Sequence, residues 1–321
     1  MNFLNNRWIL LALAALALTA CKERETQVEY WDDAKNKPRY VFEIDKETGK
    51  KDGTYKEFWQ NGNLKIEGSF SEGMRNGTFR EYRDDGSILL ENNYKNDVVE
   101  GTVKVYNREK KLISKGEISD GSYVHQNFFT DSRDGKKYPV VAIGSRIWMA
   151  ANLNFYTSGS LCYADKDEYC DKYGRLYTWH DAAEICPDGW DLPNYAEIQN
   201  LVEIAGGDNF AARLLKDPSE WRSKSWQGKG SGIDALGFSA LPAGSAGLDF
   251  LQGKISFEGL LFGDDAADNA VRSANFWLAT EYEYEEAKAY NMALMPYDDG
   301  SSISTWDKRR WHSVRCIKDV D

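Results

Sequence analysis

A six-residue pattern recurs three times at a fixed spacing and constrains the N-terminal fold more than any other feature of the chain. It reads Gly-Thr-Tyr-Lys-Glu-Phe from Gly53, Gly-Thr-Phe-Arg-Glu-Tyr from Gly77 and Gly-Thr-Val-Lys-Val-Tyr from Gly101, so the period is 24 residues. Apolar and polar residues alternate within each copy, as they do in a half-buried strand. Self-similarity at this period indicates supersecondary units that bury a core only by stacking on one another.

Turn signals make each repeat a β-hairpin. Asn-Gly at 61–62 and Asp-Gly at 85–86 favour the positive φ angles of tight turns, whereas the third unit has Arg-Glu-Lys-Lys at 108–111, as a terminal unit would. One hairpin is marginal alone, so we expect an antiparallel hairpin array over residues 40–122. The stripe buried by this array is expected to contain Tyr55, Phe79 and Val103. The array resembles MORN-type repeats in their antitoxin-like variant, which implies either a structural spacer or a binding surface.

The first residues have the three parts of a secretory signal. Arg7 supplies a positive charge, residues 9–18 are nearly all Leu and Ala, and small residues precede Cys21. The apolar run is too short to cross a bilayer of about 30 Å as a helix. The segment Leu-Thr-Ala-Cys at 18–21 resembles the lipobox of bacterial lipoproteins, which implies a signal peptide over residues 1–20 and acylation of Cys21. The alternative is an ordinary cleaved signal with a chance cysteine.

An acylated Cys21 makes membrane lipid the first expected partner, because each buried methylene of an acyl chain contributes about 0.8 kcal/mol. We expect an exported, envelope-anchored protein. Lys22 is not the aspartate that often marks inner-membrane retention, which favours the outer membrane. Residues 21–39 are polar and charged without apolar periodicity, so they are expected to form a flexible tether.

Charge and cysteine content exclude several functions. The net charge of −11 repels nucleic acid, so no nucleic-acid partner is expected. Beyond Cys21 the cysteines are even in number, which indicates two disulfides in an oxidising compartment with three possible connectivities. They are Cys162, Cys170, Cys186 and Cys316. No Cys-x-x-Cys occurs and no histidine has ligand spacing from these cysteines, so neither a metal nor a cofactor is expected.

The C-terminal region lacks the repeat and predicts short helices among loops. Trp179, Ala183 and Cys186 have the spacing i, i+4 and i+7, which predicts one helix with the cysteine on its buried face. A second helix is predicted after Asn194, which forms a capping box with Glu197. Its core stripe is Ile198, Leu201, Val202 and Ala205. The other predicted elements are a strand at 140–144, a third helix at 209–216, and loops with short strands beyond it.

Motif blocks follow one another in this region in a recognisable order. They include Trp-Met-Ala at 148–150, Tyr-Gly-Arg-Leu-Tyr-Thr-Trp at 173–179, Cys-Pro-Asp-Gly-Trp-Asp-Leu-Pro at 186–193, Gly-Phe-Ser-Ala-Leu-Pro-Ala-Gly at 237–244 and Ser-Val-Arg-Cys at 313–316. Residues 126–319 thereby resemble the Fibrobacter succinogenes major paralogous domain, which is similar to the C-type-lectin-like fold. That resemblance implies the pairing Cys186–Cys316, which leaves Cys162–Cys170. The predicted fold class is α+β, with an antiparallel hairpin array before a lectin-like domain that carries two disulfides.

The lectin-like resemblance does not extend to the calcium site. Sugar-binding members hold calcium with a Glu-Pro-Asn or Gln-Pro-Asp loop and a Trp-Asn-Asp strand, where this chain has Leu-Pro-Ala at 241–243 and Trp-Leu-Ala at 277–279. Acidic runs at 264–268 and 298–299 offer oxygen ligands but are more typical of solvated turns. Calcium-dependent sugar binding of that kind is therefore not expected.

Binding is the function that the sequence favours over catalysis. Both predicted disulfides use the cysteines that a formylglycine-generating-like enzyme would need, and no nucleophile motif stands near a histidine. Four tryptophans in polar surroundings are candidates for a binding surface: Trp221, Trp226, Trp306 and Trp311. We expect a non-catalytic protein that recognises a polysaccharide or an envelope protein. The alternatives are a structural envelope component, a formylglycine-generating-like enzyme or a glycan-active enzyme.

Overall fold

The computed structural model describes residues 22–221, 232–249, 254–258, 273–296 and 298–320. Within these residues the fold is α+β, as predicted from the sequence, with an antiparallel strand array followed by a mixed region that carries two disulfides. Within the same ranges no helix is long and apolar enough to span a bilayer. The predicted acylation site Cys21 and its signal lie outside the described residues.

The N-terminal part is one antiparallel sheet, called the repeat sheet below. Its strands are β1 (Arg24–Tyr30), β2 (Pro38–Asp45), β3 (Lys51–Phe58), β4 (Leu64–Ser71), β5 (Met74–Arg75), β6 (Gly77–Tyr82), β7 (Ile88–Lys95), β8 (Val98–Val99), β9 (Gly101–Tyr106), β10 (Leu112–Ser119) and β11 (Ser122–Tyr123). The main order is β1-β2-β3-β4-β6-β7-β9-β10-β11, while β5 pairs with β4 and β8 with β7. Successive hairpins therefore extend one sheet, and each repeat supplies an equivalent pair of long strands.

Period-2 alternation gives the repeat sheet one buried face and one charged face. The predicted stripe is confirmed, because Tyr55, Phe79 and Val103 are all nearly or fully buried. On the opposite face, cross-strand neighbours alternate in charge, and Glu91 forms ion pairs with both Arg80 (2.8 Å) and Lys104 (2.7 Å). Alternating charges across strands stabilise a face that stays in solvent. The buried face must therefore pack against another part of the chain.

The prediction of a flexible tether at 21–39 is wrong for its described part. Arg24–Tyr30 forms β1, which pairs antiparallel with β2. Lys22 and Arg24 both form ion pairs with Asp52, whose side chain is almost inaccessible to solvent. An edge strand is held by backbone hydrogen bonds and needs little apolar surface, which is why the polar composition of this segment concealed it.

The C-terminal part, called the head below, consists of short strands and helices. Its strands are β12 (Asn127–Thr130), β13 (Lys137–Ile143), β14 (Arg146–Met149), β15 (Leu176–Tyr177), β16 (Ser245–Asp249), β17 (Lys254–Glu258), β18 (Ala274–Glu281), β19 (Lys288–Leu294), β20 (Ser301–Asp307), β21 (His312–Ser313) and β22 (Ile317–Asp319). Its helices are α1 (Asp167–Tyr173), α2 (Trp179–Glu184), α3 (Tyr195–Ile204) and α4 (Ala211–Leu215), with a 3-10 turn at Tyr163–Asp165. The sheets have the orders β12-β13-β14-β22, β15-β21-β18-β19-β20 and β16-β17.

The helix predictions differ in their accuracy. The capping box of Asn194 and Glu197 is present and begins α3, as predicted. In α2 the predicted buried face is wrong: Ala183 is exposed, whereas Ala182 and Ile185 are buried. The helix ends at Glu184, before Cys186, so the cysteine is not held by a helical face. The turn that follows α2 carries Cys186 to its partner instead.

Three motif blocks of the head meet at one buried arginine. Arg315 is 1% exposed and donates to the carbonyl oxygens of Met149 and Ser239 at 3.2 and 2.9 Å and to Asn152 Oδ1 at 2.7 Å. A further hydrogen bond goes to the carbonyl oxygen of Phe238. Burial lowers the pKa of Arg315 to about 9. The Ser-Val-Arg-Cys block is thus a structural hub, and the adjacent Cys316 pairs with Cys186 as the resemblance implied.

The repeat sheet and the head share one hydrophobic core. Leu90 and Val105 of the sheet belong to the same buried cluster as Leu201 and Phe238 of the head. The junction is closed by Tyr123, because a Cβ on Gly116 or Gly237 would overlap its ring at less than about 3 Å. The repeats therefore do not form an isolated unit. The head covers the apolar face of the sheet.

Candidate functional site: a groove between the repeat sheet and the head

A groove with a volume of about 1180 Å³ runs between the repeat sheet and the head. One wall consists of the turns that follow β3, β6 and β9, and the other of α3, the loop after it and the start of β20. The side chains that matter for its chemistry are Trp59, Asp84 and Arg108 from the sheet, and Tyr195, Asp208 and Phe210 from the head. Pockets between unlike parts of a chain are common ligand sites.

The 24-residue period brings the sheet's side chains to this edge. Backbone hydrogen bonds join residues 59 and 63, 83 and 87, and 107 and 111, so each repeat has the same turn at the same end. The first side chain of a turn reaches the next repeat: Trp59 Nε1 donates to the carbonyl oxygen of Tyr82, and Arg83 to that of Tyr106. These bonds fix the indole and guanidinium groups. The wall made by the sheet is therefore preorganised.

Aromatic rings form the apolar part of the groove. The centroids of Trp59 and Phe210 are 6.2 Å apart with perpendicular planes, so a ring from each wall meets inside the groove. Tyr195, the first residue of α3, lines the groove further along. Its backbone N–H donates to Thr280 Oγ1 at 2.9 Å, which ties the start of α3 to β18. Such rings offer a large contact area with few rotatable bonds.

The cationic side chains of the groove are engaged by the protein itself. Lys65 forms an ion pair with Glu57 at 2.7 Å. Arg83 is buried, and burial lowers its pKa. Its guanidinium donates hydrogen bonds to backbone carbonyl oxygens. Arg108 lies 2.8 Å from Asp85 on the sheet and 3.9 Å from Glu203 on α3. The last contact crosses the groove and links its two walls.

Carboxylates are the polar groups that the groove leaves available. No ion pair within the described residues involves Asp84, Asp208 or Asp298. Ser301 adds a buried hydroxyl with no hydrogen-bond partner among those residues. Lys216, whose pKa is lowered to about 8 by burial, donates from Nζ to the carbonyl oxygen of Asp298 at 2.7 Å and holds the acidic loop in place. The groove thus combines rings with hydrogen-bond acceptors.

The three tryptophans of the predicted binding surface that lie within the described ranges do not form a common surface. The prediction that Trp221 lies on a binding surface is wrong. Trp221 is 4% exposed, belongs to the shared core, and donates from Nε1 to the carbonyl oxygen of Ala240. Trp306 and Trp311 are half-buried and pack against two different clusters of the head, and neither lines the groove. Trp226 lies outside the described residues. The polar residues next to these tryptophans in the sequence did not indicate that their rings are exposed. The rings are covered by segments that are distant in the sequence.

A serine, a histidine and an aspartate meet at the junction of sheet and head, but in the wrong order for nucleophilic catalysis. His125 Nε2 lies 2.8 Å from Ser239 Oγ, and Ser239 Oγ donates to Asp234 Oδ2 at 2.6 Å. A catalytic triad requires the histidine between serine and aspartate, whereas here the serine stands between them. Burial raises the pKa of Asp234 well above its usual value and lowers that of His125 to about 4. The group is a structural link at the junction.

Metal ligation finds no support in the described part of the chain. No group of three or more His, Cys, Asp or Glu side chains there has the geometry to hold a metal ion. The acidic pair at 298–299 lies at the groove, where Asp298 Oδ1 accepts from the backbone N–H of Gly300. The acidic run at 264–268 lies outside the described residues.

The sequence contained only one usable signal for the groove. Trp59 stands immediately after a strand at a position that recurs as Arg83 and Asn107 with the 24-residue period. Turn positions that recur with the repeat period lie at one edge of the sheet. The period therefore predicts that Trp59 lies at this edge, which forms one wall of the groove. Tyr195 and Phe210 carry no such signal, because they become groove residues only when the head docks on the sheet.

A hairpin-repeat sheet docked on a disulfide-stapled α+β head defines the class of this protein. Comparison with known families matches residues 141–318 to the Fibrobacter succinogenes major domain and residues 51–72 and 75–96 to the MORN repeat variant. The first match covers more than half of the chain, so the protein belongs to the Fibrobacter succinogenes major domain family. The resemblances to these two families that were noted from the sequence are confirmed. No curated protein matches the chain.

Proposed function

We propose that this protein is a lipid-anchored, non-catalytic binding protein of the cell envelope that holds its ligand in the groove. The observation that carries the proposal is the groove itself, where rings from both walls lie beside carboxylates that form no ion pair within the described residues. Carboxylates accept hydrogen bonds from hydroxyl groups, and rings pack on apolar faces. A hydroxyl-rich saccharide fits this combination.

The position of the groove supports an envelope role. β1 begins at Arg24, three residues after the predicted anchor at Cys21, so the start of β1 stays close to the lipid surface. The turns that line the groove lie at the opposite end of the repeat sheet. Strands of eight residues at about 3.3 Å per residue separate the two ends of the sheet by about 25 Å. The groove therefore lies away from the predicted point of attachment.

The anchor is tested by a Cys21→Ser variant expressed with its signal. We expect the wild-type protein in the membrane fraction and the variant in the soluble fraction, because the acyl chains supply the membrane affinity. Immunoblots of the separated fractions measure this distribution. Co-sedimentation of the variant with membranes would contradict the anchor.

The groove is tested by titrating neutral disaccharides and trisaccharides into the protein while NMR spectra are recorded. We expect shifts of the indole signal of Trp59, and at least about tenfold weaker binding in an Asp84→Asn, Asp208→Asn variant, which removes two of the carboxylates that form no ion pair within the described residues. The matched control is Asp188→Asn, because Asp188 is exposed and does not line the groove. Absence of binding by the wild-type protein to every saccharide would contradict the proposal and favour a structural role.

A further inference from the structure

A row of four tyrosines leads out of the groove across the head. Tyr195 lines the groove, and its ring centroid lies 4.9 Å from that of Tyr290. Tyr290 lies 5.6 Å from Tyr282, which lies 5.4 Å from Tyr284, and every ring packs edge to face on the next. Tyr284, at the outer end, is 79% exposed. These four residues are called the tyrosine row.

We propose that the ligand is a linear, uncharged polysaccharide whose chain extends from the groove along the tyrosine row. This inference rests on the proposed function of the groove and adds the length and charge of the ligand. A small ligand would be satisfied by the groove alone. The continuous line of rings beyond it makes contact with further units of a polymer.

Backbone hydrogen bonds fix the segments that carry the tyrosine row. Tyr282 and Tyr284 lie in the loop between β18 and β19, which is closed by a backbone hydrogen bond from Tyr282 N–H to the carbonyl oxygen of Lys288. Tyr290 lies in β19, and Tyr195 is tied to β18 through Thr280. A preorganised row loses little conformational entropy when it binds a chain.

The charges beside the tyrosine row oppose an anionic ligand. Two carboxylates of the loop form ion pairs with lysines, Glu281 at 2.6 Å and Glu285 at 2.7 Å. Glu283 and Glu286 form no ion pair within the described residues, so the loop carries uncompensated negative charge. The net charge of −11 also opposes a polyanion.

The composition of the row favours a saccharide over a protein. The loop at 281–288 carries tyrosines and charged residues, and its largest aliphatic side chain is that of Ala287. Protein interfaces are built around a buried apolar centre, which this loop does not supply. Tyrosine presents an apolar ring together with a hydroxyl that both donates and accepts hydrogen bonds. This combination matches the alternating apolar faces and hydroxyls of a sugar chain.

The test compares short and long chains of the same neutral sugar in one binding assay. Native gels cast with hydroxyethyl cellulose, xylan or dextran measure long chains, and titration with the matching disaccharides measures the groove alone. We expect a Tyr282→Ala, Tyr284→Ala variant to lose about tenfold in affinity for the long chain, which is about 1.4 kcal/mol, and to bind the disaccharide unchanged.

The matched control is Tyr156→Ala, because Tyr156 is 66% exposed and contacts Arg175 outside the row. Unchanged retardation of the Tyr282→Ala, Tyr284→Ala variant, together with equal wild-type affinity for short and long chains, would overturn the inference while leaving the groove intact. Stronger binding of basic peptides than of any neutral chain would also overturn it. Failure of the wild-type protein to bind any saccharide contradicts the proposed function instead.

Discussion

Replacing Arg213 by leucine is expected to destabilise the folded protein by about 3–5 kcal/mol, because it leaves Glu81 buried without its partner. Arg213 of α4 and Glu81 of β6 are 8% and 6% exposed, and their side chains are 2.5 Å apart between head and sheet. Burial alone would lower the pKa of Arg213, but the charge of Glu81 reverses this and raises it. Denaturant unfolding of the unacylated protein measures the change.

The double variant Glu81→Met, Arg213→Leu is the decisive comparison. Removing both charges together is expected to restore most of the stability, because apolar side chains of similar size replace a buried pair without a desolvation penalty. The surface pair of Asp307 and Arg309 serves as the control, where Arg309→Ala should leave the stability nearly unchanged, because solvent screens the charges of a surface ion pair. A single Arg213 variant as stable as the wild type would show that the sheet and the head do not depend on this contact.

The shared core also affects how the two parts unfold. Since Leu90 and Phe238 belong to one core, part of the apolar surface of the sheet and of the head is buried only when the two are docked. Unfolding is therefore expected as a single cooperative transition. The walls of the groove stay at a fixed separation for the same reason, with Arg108 and Glu203 spanning it at 3.9 Å.

Local signals predicted the features that depend on neighbouring residues. The hairpins follow from period-2 alternation around Asn-Gly and Asp-Gly turns, and the buried stripe of Tyr55 and Phe79 follows from the same alternation. The capping box of Asn194 and Glu197 needs only residues three apart, so α3 was predictable. Motif blocks then identified the family and, through it, the disulfide pairing.

Contacts between distant segments account for what the sequence did not reveal. β1 is held by backbone pairing with β2, and its short alternation of Thr26, Val28 and Tyr30 is obscured by the charged residues around it. Trp221 is buried because Ala240 and the shared core surround it. The short helix α2 buries Ala182 rather than Ala183. The side that is buried depends on the contact of α2 with β18, a strand distant in the sequence. The groove likewise exists only after sheet and head have docked.

The bridge between Cys186 and Cys316 is expected to contribute the largest stabilisation of any single covalent link in the head. It closes a loop of 130 residues, against eight for Cys162–Cys170. The chain-entropy argument then assigns about 5 kcal/mol to the long bridge and about 2.5 kcal/mol to the short one. Cys316 is fully buried, and its carbonyl oxygen accepts from the backbone N–H of Met149 at 3.0 Å. The bridge ties this residue, which directly precedes β22, to the turn after α2.

The test is denaturant unfolding of a Cys186→Ser, Cys316→Ser variant, with a Cys162→Ser, Cys170→Ser variant as the matched control. The first should lose about twice as much free energy of unfolding as the second, because the entropy of the unfolded chain rises with loop length. A reducing agent should lower the free energy of unfolding of the wild-type protein by about the sum of both losses. Equal losses in the two variants would contradict the loop-length argument and indicate that local packing around each bridge sets its contribution.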